Sequence, residues 1–246
     1  MSRIVPDPTA AAESTQALSE LNAWLSGLRA EQRVEWALHT LSGEHALSSS
    51  FGAQSAVALH LCTRLRPDLP VILVDTGYLF PETHAFVDQL RDQLALNLHV
   101  ARPDPERAWR PGQVAWLESG GADAIDRYNR VHKVEPMQRK LAKLGVRTWI
   151  AGLRRDQSRS RAGVEFLELK DGRWKLHPLA DWSDHDIGRY LDRHRLPYHP
   201  LWQRGYVSIG DTHSSRPLSE GQRAEDTRFF GLKRECGLHY DEPATV

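Results

Sequence analysis

Cysteine is scarce in this chain: Cys62 and Cys236 are its only two, far apart in 246 residues. Two distant cysteines make no disulfide framework, and a compartment that keeps thiols reduced is expected. Net charge is lacking too, since Lys plus Arg (32) equals Asp plus Glu (32). Without a global basic field, neither nucleic acid nor a membrane surface is expected as a partner, and a local cluster of one sign becomes informative. No apolar run reaches the roughly eighteen residues that would span a bilayer. The opening MSRIVPDPTAAAESTQ has no continuous apolar stretch of the secretory kind, so a cytoplasmic location is expected.

What is present alternates between strand and helix patterns. The first fifteen or so residues, rich in Pro, Ala, Ser and Thr, read as a loose N-terminus. Leu18, Leu21, Trp24, Leu25 and Leu28 fall at helical spacing, as do Val34, Ala37, Leu38 and Leu41. HALSSSF then reads as a short strand leading through GAQS into the apolar helix AVALHLCTRL. VILVD is a buried parallel strand by composition, LNLHV and RTWIAG are two more, and KDG joins VEFLEL to RWKLHPL as a hairpin. Pro136 is expected to open a helix carrying Met137, Leu141 and Leu144, and Ser183 with Asp186 to form a capping box. The pattern predicts an α/β fold over residues 16–205, a mostly parallel sheet with helices on both faces. Beyond 205 the apolar density falls, and residues 206–246 read as a C-terminal tail lying over the site.

Ligands in such folds sit beyond the carboxyl ends of the strands, which directs attention to three segments. SSSFGAQS offers Ser49, Ser50, Gly52, Gln54 and Ser55 at a strand-to-helix junction, suited to an anion or simply to capping the helix. It is no Walker loop, because no Gly-Lys-Ser/Thr follows. DTGYLFP begins with Asp75, Thr76 and Gly77, able to meet a ribose or adenine amine or to cap the next helix. GLRRDQSRSR crowds Arg154, Arg155, Arg159 and Arg161 at a strand end; guanidinium groups match phosphate and sulfate oxygens, although charge runs are often only solvated loops. DWSDHD reads as a helix N-terminus rather than a metal site, and Cys236 with His239 lacks a second pair at zinc spacing. Cys62, inside the apolar helix, reads as inert core. Cys236 follows Lys233 and Arg234, with Arg228 nearby, a setting that favours a thiolate nucleophile over an incidental surface cysteine.

These motifs together resemble the thioredoxin-dependent phosphosulfate reductases, most closely the cluster-free enteric-bacterial type acting on 3′-phosphoadenosine 5′-phosphosulfate (PAPS). The carriers are SSSFGAQS, VILVDTGYLFPETHAF, YNRVHKVEPM, TWIAGLRRDQSRSRA, YHPLWQRGYVSIGDTHSSRP and EDTRFFGLKRECGLH, in order from about residue 45 to 240. The resemblance implies an adenine nucleotide alpha hydrolase-like fold. In the ATP pyrophosphatases of that fold the loop reads S-G-G-x-D-S; here Gln54 replaces the acidic residue, which makes an ATP-dependent adenylyl transferase the weaker reading. It further implies that Cys236 attacks the sulfur of bound PAPS. Adenosine 3′,5′-bisphosphate would leave, and reduced thioredoxin (or glutaredoxin) would release sulfite from an S-sulfocysteine. Arg154, Arg155, Arg161 and Lys133 are the expected cations, Lys233 and Arg234 arrive with the tail, and His239 would orient the thiol. A homodimer is implied by the resemblance alone.

One departure bears on the substrate. Relatives that reduce adenosine 5′-phosphosulfate (APS) commonly hold a four-iron cluster through a Cys-Cys pair and a later C-x-x-C. Those positions fall here at Tyr128, Asn129, Asp211 and Ser214, none of them cysteine. Iron–sulfur clusters need thiolates, so no bound cluster or metal is expected, and PAPS is favoured over APS. Gln203, Arg204, Ser208 and Ser49 are the candidates for the 3′-phosphate.

Overall fold

Every segment read as a strand enters one sheet. The computed structural model describes residues 6–232 and 237–238. In chain order, α1 (Pro8–Glu13), α2 (Thr15–Ser26) and α3 (Ala30–Thr40) precede β1 (Glu44–Ser48), α4 (Ala56–Leu65) and β2 (Pro70–Val74). Then come α5 (Pro81–Leu94), β3 (Asn97–Ala101), α6 (Pro111–Ala115), α7 (Gly121–Asn129), α8 (Glu135–Lys143) and β4 (Val146–Ala151). The hairpin β5 (Leu167–Lys170) and β6 (Arg173–Leu176) leads to α9 (Asp184–His194). The strand order is β3-β2-β1-β4-β6-β5, parallel except where β5 meets β6. Alternate residues of β2 separate into two cores. Val71 and Leu73 pack with α4 and α5, while Ile72 packs with Met137 and Leu141 of α8, so helices cover both faces.

Local chemistry explains the boundaries. Asp171 and Gly172 both take positive φ, the geometry a two-residue hairpin turn needs. Ser183 and Asp186 do form the capping box of α9. One expectation changes and another gains detail. Within the supposedly loose N-terminus, Asp7 accepts from the Thr9 amide and Ala11 is buried, which orders α1. Pro136 stands in the first turn of α8, as expected, but α7 runs into that helix through a π-helical turn, Arg130–Val134, in which the Glu135 amide reaches the Arg130 carbonyl. Pro136 has no N–H to give one turn back, and the wider turn absorbs that loss.

Past residue 205 the chain returns over the carboxyl ends of the strands. Bridges join Leu79 to Asp211 and Ser215 to Arg228, and Phe229 is fully buried.

Candidate active site

A cavity of about 400 Å³ opens where the strand order reverses about β1, beyond the ends of β1, β2 and β4. The serine loop forms one wall. Its Phe51 is buried at φ 50°, a strained conformation for a side chain this large, and the Ser49 hydroxyl accepts from the Phe51 amide at 3.1 Å. That anchor leaves Ser49, Ser50 and Gly52 facing the cavity, where a Cβ on Gly52 would stand 3.4 Å from Ser50 Oγ. Ser55 Oγ is buried among the described residues without a hydrogen-bond partner, at the N-terminus of α4 whose amides favour an anion. Ser48, which accepts from the Trp149 indole at 2.7 Å, joins this wall to β4.

The arginines divide. Arg154 lies in the wall, but its guanidinium is committed: it donates to Gln54 Oε1 at 2.7 Å, Asp184 Oδ1 at 2.8 Å and the Trp182 carbonyl at 3.2 Å. Gln54 thus serves to hold Arg154 through its amide oxygen. Arg155 turns away from the cavity lining, donating to the Val164 carbonyl at 2.7 Å and stacking 4.7 Å from the Phe166 ring centre, against which Arg33 also packs. Arg161 does line the cavity, bonded to Gln157. Asp75 and Gly77 lie outside the lining. Asp75 accepts from the Gly77 amide at 3.0 Å and pairs with Arg102 at 3.2 Å, and Gly77 sits at φ 82°, so both shape the turn that presents Thr76. Of the candidates for a second phosphate, Ser49 and Ser208 line the cavity, whereas Gln203 and Arg204 do not; Arg204 pairs with Glu82 at 2.7 Å.

Opposite the serine loop lies a buried polar group whose connections the sequence did not reveal. Lys133 Nζ is 2.7 Å from Asp211 Oδ2, the Thr76 hydroxyl donates to Oδ1 at 2.5 Å, and the Tyr128 hydroxyl donates to Oδ2 at 3.2 Å. Burial alone would raise the Asp211 carboxyl, but the Lys133 charge and these hydrogen bonds hold it at about 2. Burial and the Asp211 charge push the Tyr128 phenol up, so it stays a donor. His132 stacks on Tyr128, accepts at Nε2 from the Trp109 amide (2.9 Å) and therefore donates from Nδ1 to the Thr76 carbonyl (3.0 Å), the neutral tautomer that its burial favours. His213, edge-on to Tyr78 and Tyr128, is pushed down to about 4 by burial. Tyr128, Asn129, Asp211 and Ser214, the positions that the resemblance assigns to cluster cysteines, are all buried and carry hydroxyl, amide and carboxylate groups with no thiolate, a donor set that does not fit an iron–sulfur cluster. Among the described residues, no three His, Cys, Asp or Glu side chains are placed to hold a metal ion.

Cys236, Lys233, Arg234 and His239 lie outside the described residues. Gly237 and Leu238, the two residues after Cys236, are described: Leu238 lines the cavity, and a Cβ on Gly237 would stand 3.7 Å from the Val134 side chain. Cys62 is wholly buried, and burial pushes its thiol up to about 12, as suits inert core.

Comparison with known proteins gives a consistent answer. Residues 44–217 match the phosphoadenosine phosphosulfate reductase domain. A phosphoadenosine 5′-phosphosulfate reductase of Xanthomonas campestris pv. campestris (strain B100) is 55% identical over 237 residues, 96% of this chain and 98% of its own. The crystal structure of a PAPS reductase from Candida auris, in a phosphate complex, superposes with a TM-score of 0.71 at 27% identity, covering 82% of this chain and 98% of that one. An FMN adenylyltransferase of Candida glabrata shares the fold alone, with a TM-score of 0.55 at 16% identity over 88% of this chain and 75% of its own. Among the described residues no helix is long and apolar enough to cross a membrane. The domain match and the near full-length relative place the chain in the phosphoadenosine phosphosulfate reductase family, and it is an oxidoreductase.

Proposed function

We propose that the chain reduces PAPS to sulfite and adenosine 3′,5′-bisphosphate through Cys236, with thioredoxin or a glutaredoxin as reductant. The observation that carries this reading is that Leu238, two residues from Cys236, lines a cavity walled by Ser50, Lys133 and Arg161. The Cys236 thiolate attacks the sulfur; the S–O bond to the phosphate breaks, its electron pair leaves on the phosphate oxygen, and an S-sulfocysteine remains. A thioredoxin thiolate then attacks Cys236 Sγ and expels sulfite, leaving a mixed disulfide. The second thioredoxin thiol resolves that disulfide, so a dithiol loses the two electrons that sulfite gains.

The attack brings an anion onto a sulfur already ringed by anionic oxygens, so cations fixed in a water-poor site offset the repulsion and stabilise the leaving phosphate. Lys133 and Arg161 fill that role in the body, Lys233 and Arg234 come with the tail, and His239 orients the thiol. Ser49, Ser50, Gly52 and Ser55 hold the nucleotide's anionic groups, with Thr76 at the opposite rim. Gln54 and Arg154 brace the serine loop, while Asp75, Gly77 and Arg155 act behind it on the loops. No bound metal or cluster enters the scheme. The tail closes for the first step and opens for the second. The working form is a cytoplasmic homodimer.

The test is the intact mass of reduced protein mixed with PAPS or with APS in the absence of thioredoxin. One added SO₃ group from PAPS, lost on adding thioredoxin and never seen in Cys236→Ser, is expected; Cys62→Ser should behave as the parent. Full turnover in Cys236→Ser would remove the mechanism. Faster sulfonation by APS would keep the chemistry and change the nucleotide.

A further inference from the structure

A cavity suited to a polyanion has a surprising neighbour in a fully buried carboxylate. Asp211 is 1% exposed and lines the same cavity as Lys133. A carboxylate left alone there would repel an incoming phosphosulfate, so its contacts should reveal another role. Both oxygens are occupied: Oδ1 by the Thr76 hydroxyl, Oδ2 by Lys133 Nζ and the Tyr128 hydroxyl. The ammonium is walled in turn by two aromatic faces, with the Tyr128 ring centre 5.6 Å and the Phe229 ring centre 5.0 Å from Nζ. Carboxylate and rings leave the cavity as the direction open to the lysine's remaining N–H groups.

The backbone points to the same design. The π-helical turn Arg130–Val134 carries two consecutive buried side chains, His132 and Lys133. His132 is fastened at both ring nitrogens, which fixes the turn that carries Lys133. Phe229 is held against the ammonium by a backbone with positive φ at two successive non-glycine residues, 43° and 62°. A free lysine side chain has four rotatable bonds and would lose that freedom on meeting the ligand; this one has lost it beforehand.

We propose that Asp211 is a positioning residue for the reaction: it holds the Lys133 ammonium, between the Tyr128 and Phe229 rings, where the oxygens of the transferring sulfo group and its leaving phosphate carry their charge. Asp211 acts on catalysis through Lys133 alone. The proposal rests on the phosphosulfate reading of the cavity given above.

The experiment is a double-mutant cycle on Asp211 and Lys133, read as kcat/KM for sulfite release from PAPS and as the Kd of adenosine 3′,5′-bisphosphate by calorimetry. Lys133→Met is expected to lower kcat/KM about a hundredfold, the effect of losing one transition-state donor. Asp211→Asn should lower it about tenfold or more in the parent and leave the Lys133→Met protein unchanged, since nothing remains to position. Equal losses in both backgrounds would overturn the proposal, because a carboxylate that merely supports the fold acts whatever stands at position 133.

Should either single variant fail to fold, Tyr128→Phe keeps the ring and removes one hydroxyl from Asp211. It should slow the parent about threefold or more and have no effect in the Lys133→Met/Asp211→Asn protein, where both charges are gone. The same loss in both would again overturn the proposal. A parent protein that releases no sulfite defeats the phosphosulfate reading by itself. The cycle read on bisphosphate affinity still decides the role of Asp211, because non-additive losses support it and additive ones refute it.

Discussion

Two cation–carboxylate contacts line the cavity, and they differ most in their exposure to solvent. Lys133 meets Asp211 at 2.7 Å on one wall, and Arg154 meets Asp184 at 2.8 Å on the other. The lysine and arginine side chains are 8% and 4% exposed, but Asp211 is 1% exposed and Asp184 70%. The first pair interacts in a low dielectric where neither charge can turn to water; the second is half screened from the start. Near-identical distances therefore conceal unlike energies. Removing one member of the buried pair leaves an uncompensated charge, while removing one member of the rim pair leaves a hydrated one.

The sharpest test of that contrast is stability. Lys133→Met should cost about 3–5 kcal/mol in urea unfolding, because Asp211 is left buried and unpaired, and adding Asp211→Asn should restore part of it. Arg154→Met should cost less, about 1–3 kcal/mol, because Asp184 rehydrates and the Trp182 carbonyl and Gln54 amide carry the loss. Equal losses would mean that burial does not separate the two walls.

Acid offers a second test, with an effect of about 3 kcal/mol at most. His213, beside the buried pair, is pushed from 6.5 down to about 4, first by burial and also by Lys133 and Arg228. The unfolded chain takes up this proton below its ordinary value while the native ring refuses it, so stability is lost as pH falls from about 6.5 to 4. Asp211 behaves differently: with its native value near 2, its contribution is complete above about 4 and fades only as pH falls toward 2. A His213→Asn protein should show a flatter unfolding free energy between pH 6.5 and 4 and an unchanged decline below. An unchanged upper limb would show that His213 is not held neutral by the wall around it.

The sequence disclosed whatever depends on neighbours in the chain. VILVD, the KDG hairpin and the Ser183–Asp186 cap were readable because alternation, turn geometry and capping act over a few residues. Cys62 was readable because an apolar helix implies burial. The serine loop was placed at a strand end, and the structure puts it in the cavity wall. The Lys133–Asp211–Tyr128 group was not readable: Tyr128 and Asp211 are 83 positions apart, and only the return of the chain over the sheet brings them together. Nor could composition tell Arg154 from Arg155. Adjacent residues leaving a strand point to opposite sides, and which side holds the cavity is a property of the layers. Gln54 was legible as a lost carboxylate, yet its partner Arg154 was a matter of packing. The π-helical turn had one local clue, Pro136 inside an otherwise helical pattern, which reads equally well as a helix start.

The smallest expected effect tests the rim pair directly. Asp184→Asn keeps the size of the side chain and removes a charge that solvent already screens, so it should change stability by under about 0.5 kcal/mol and kcat/KM by less than about threefold. Arg154 would still be held by the Gln54 amide oxygen and the Trp182 carbonyl, so the serine loop should keep its place. Moderate salt should act on the parent as the substitution does, because both weaken the same exposed contact. A tenfold loss of kcat/KM with unchanged stability would instead make Asp184 the orienting partner of Arg154. The two walls would then be equivalent in function despite their different exposure, and solvent would no longer explain why one carboxylate matters more than the other.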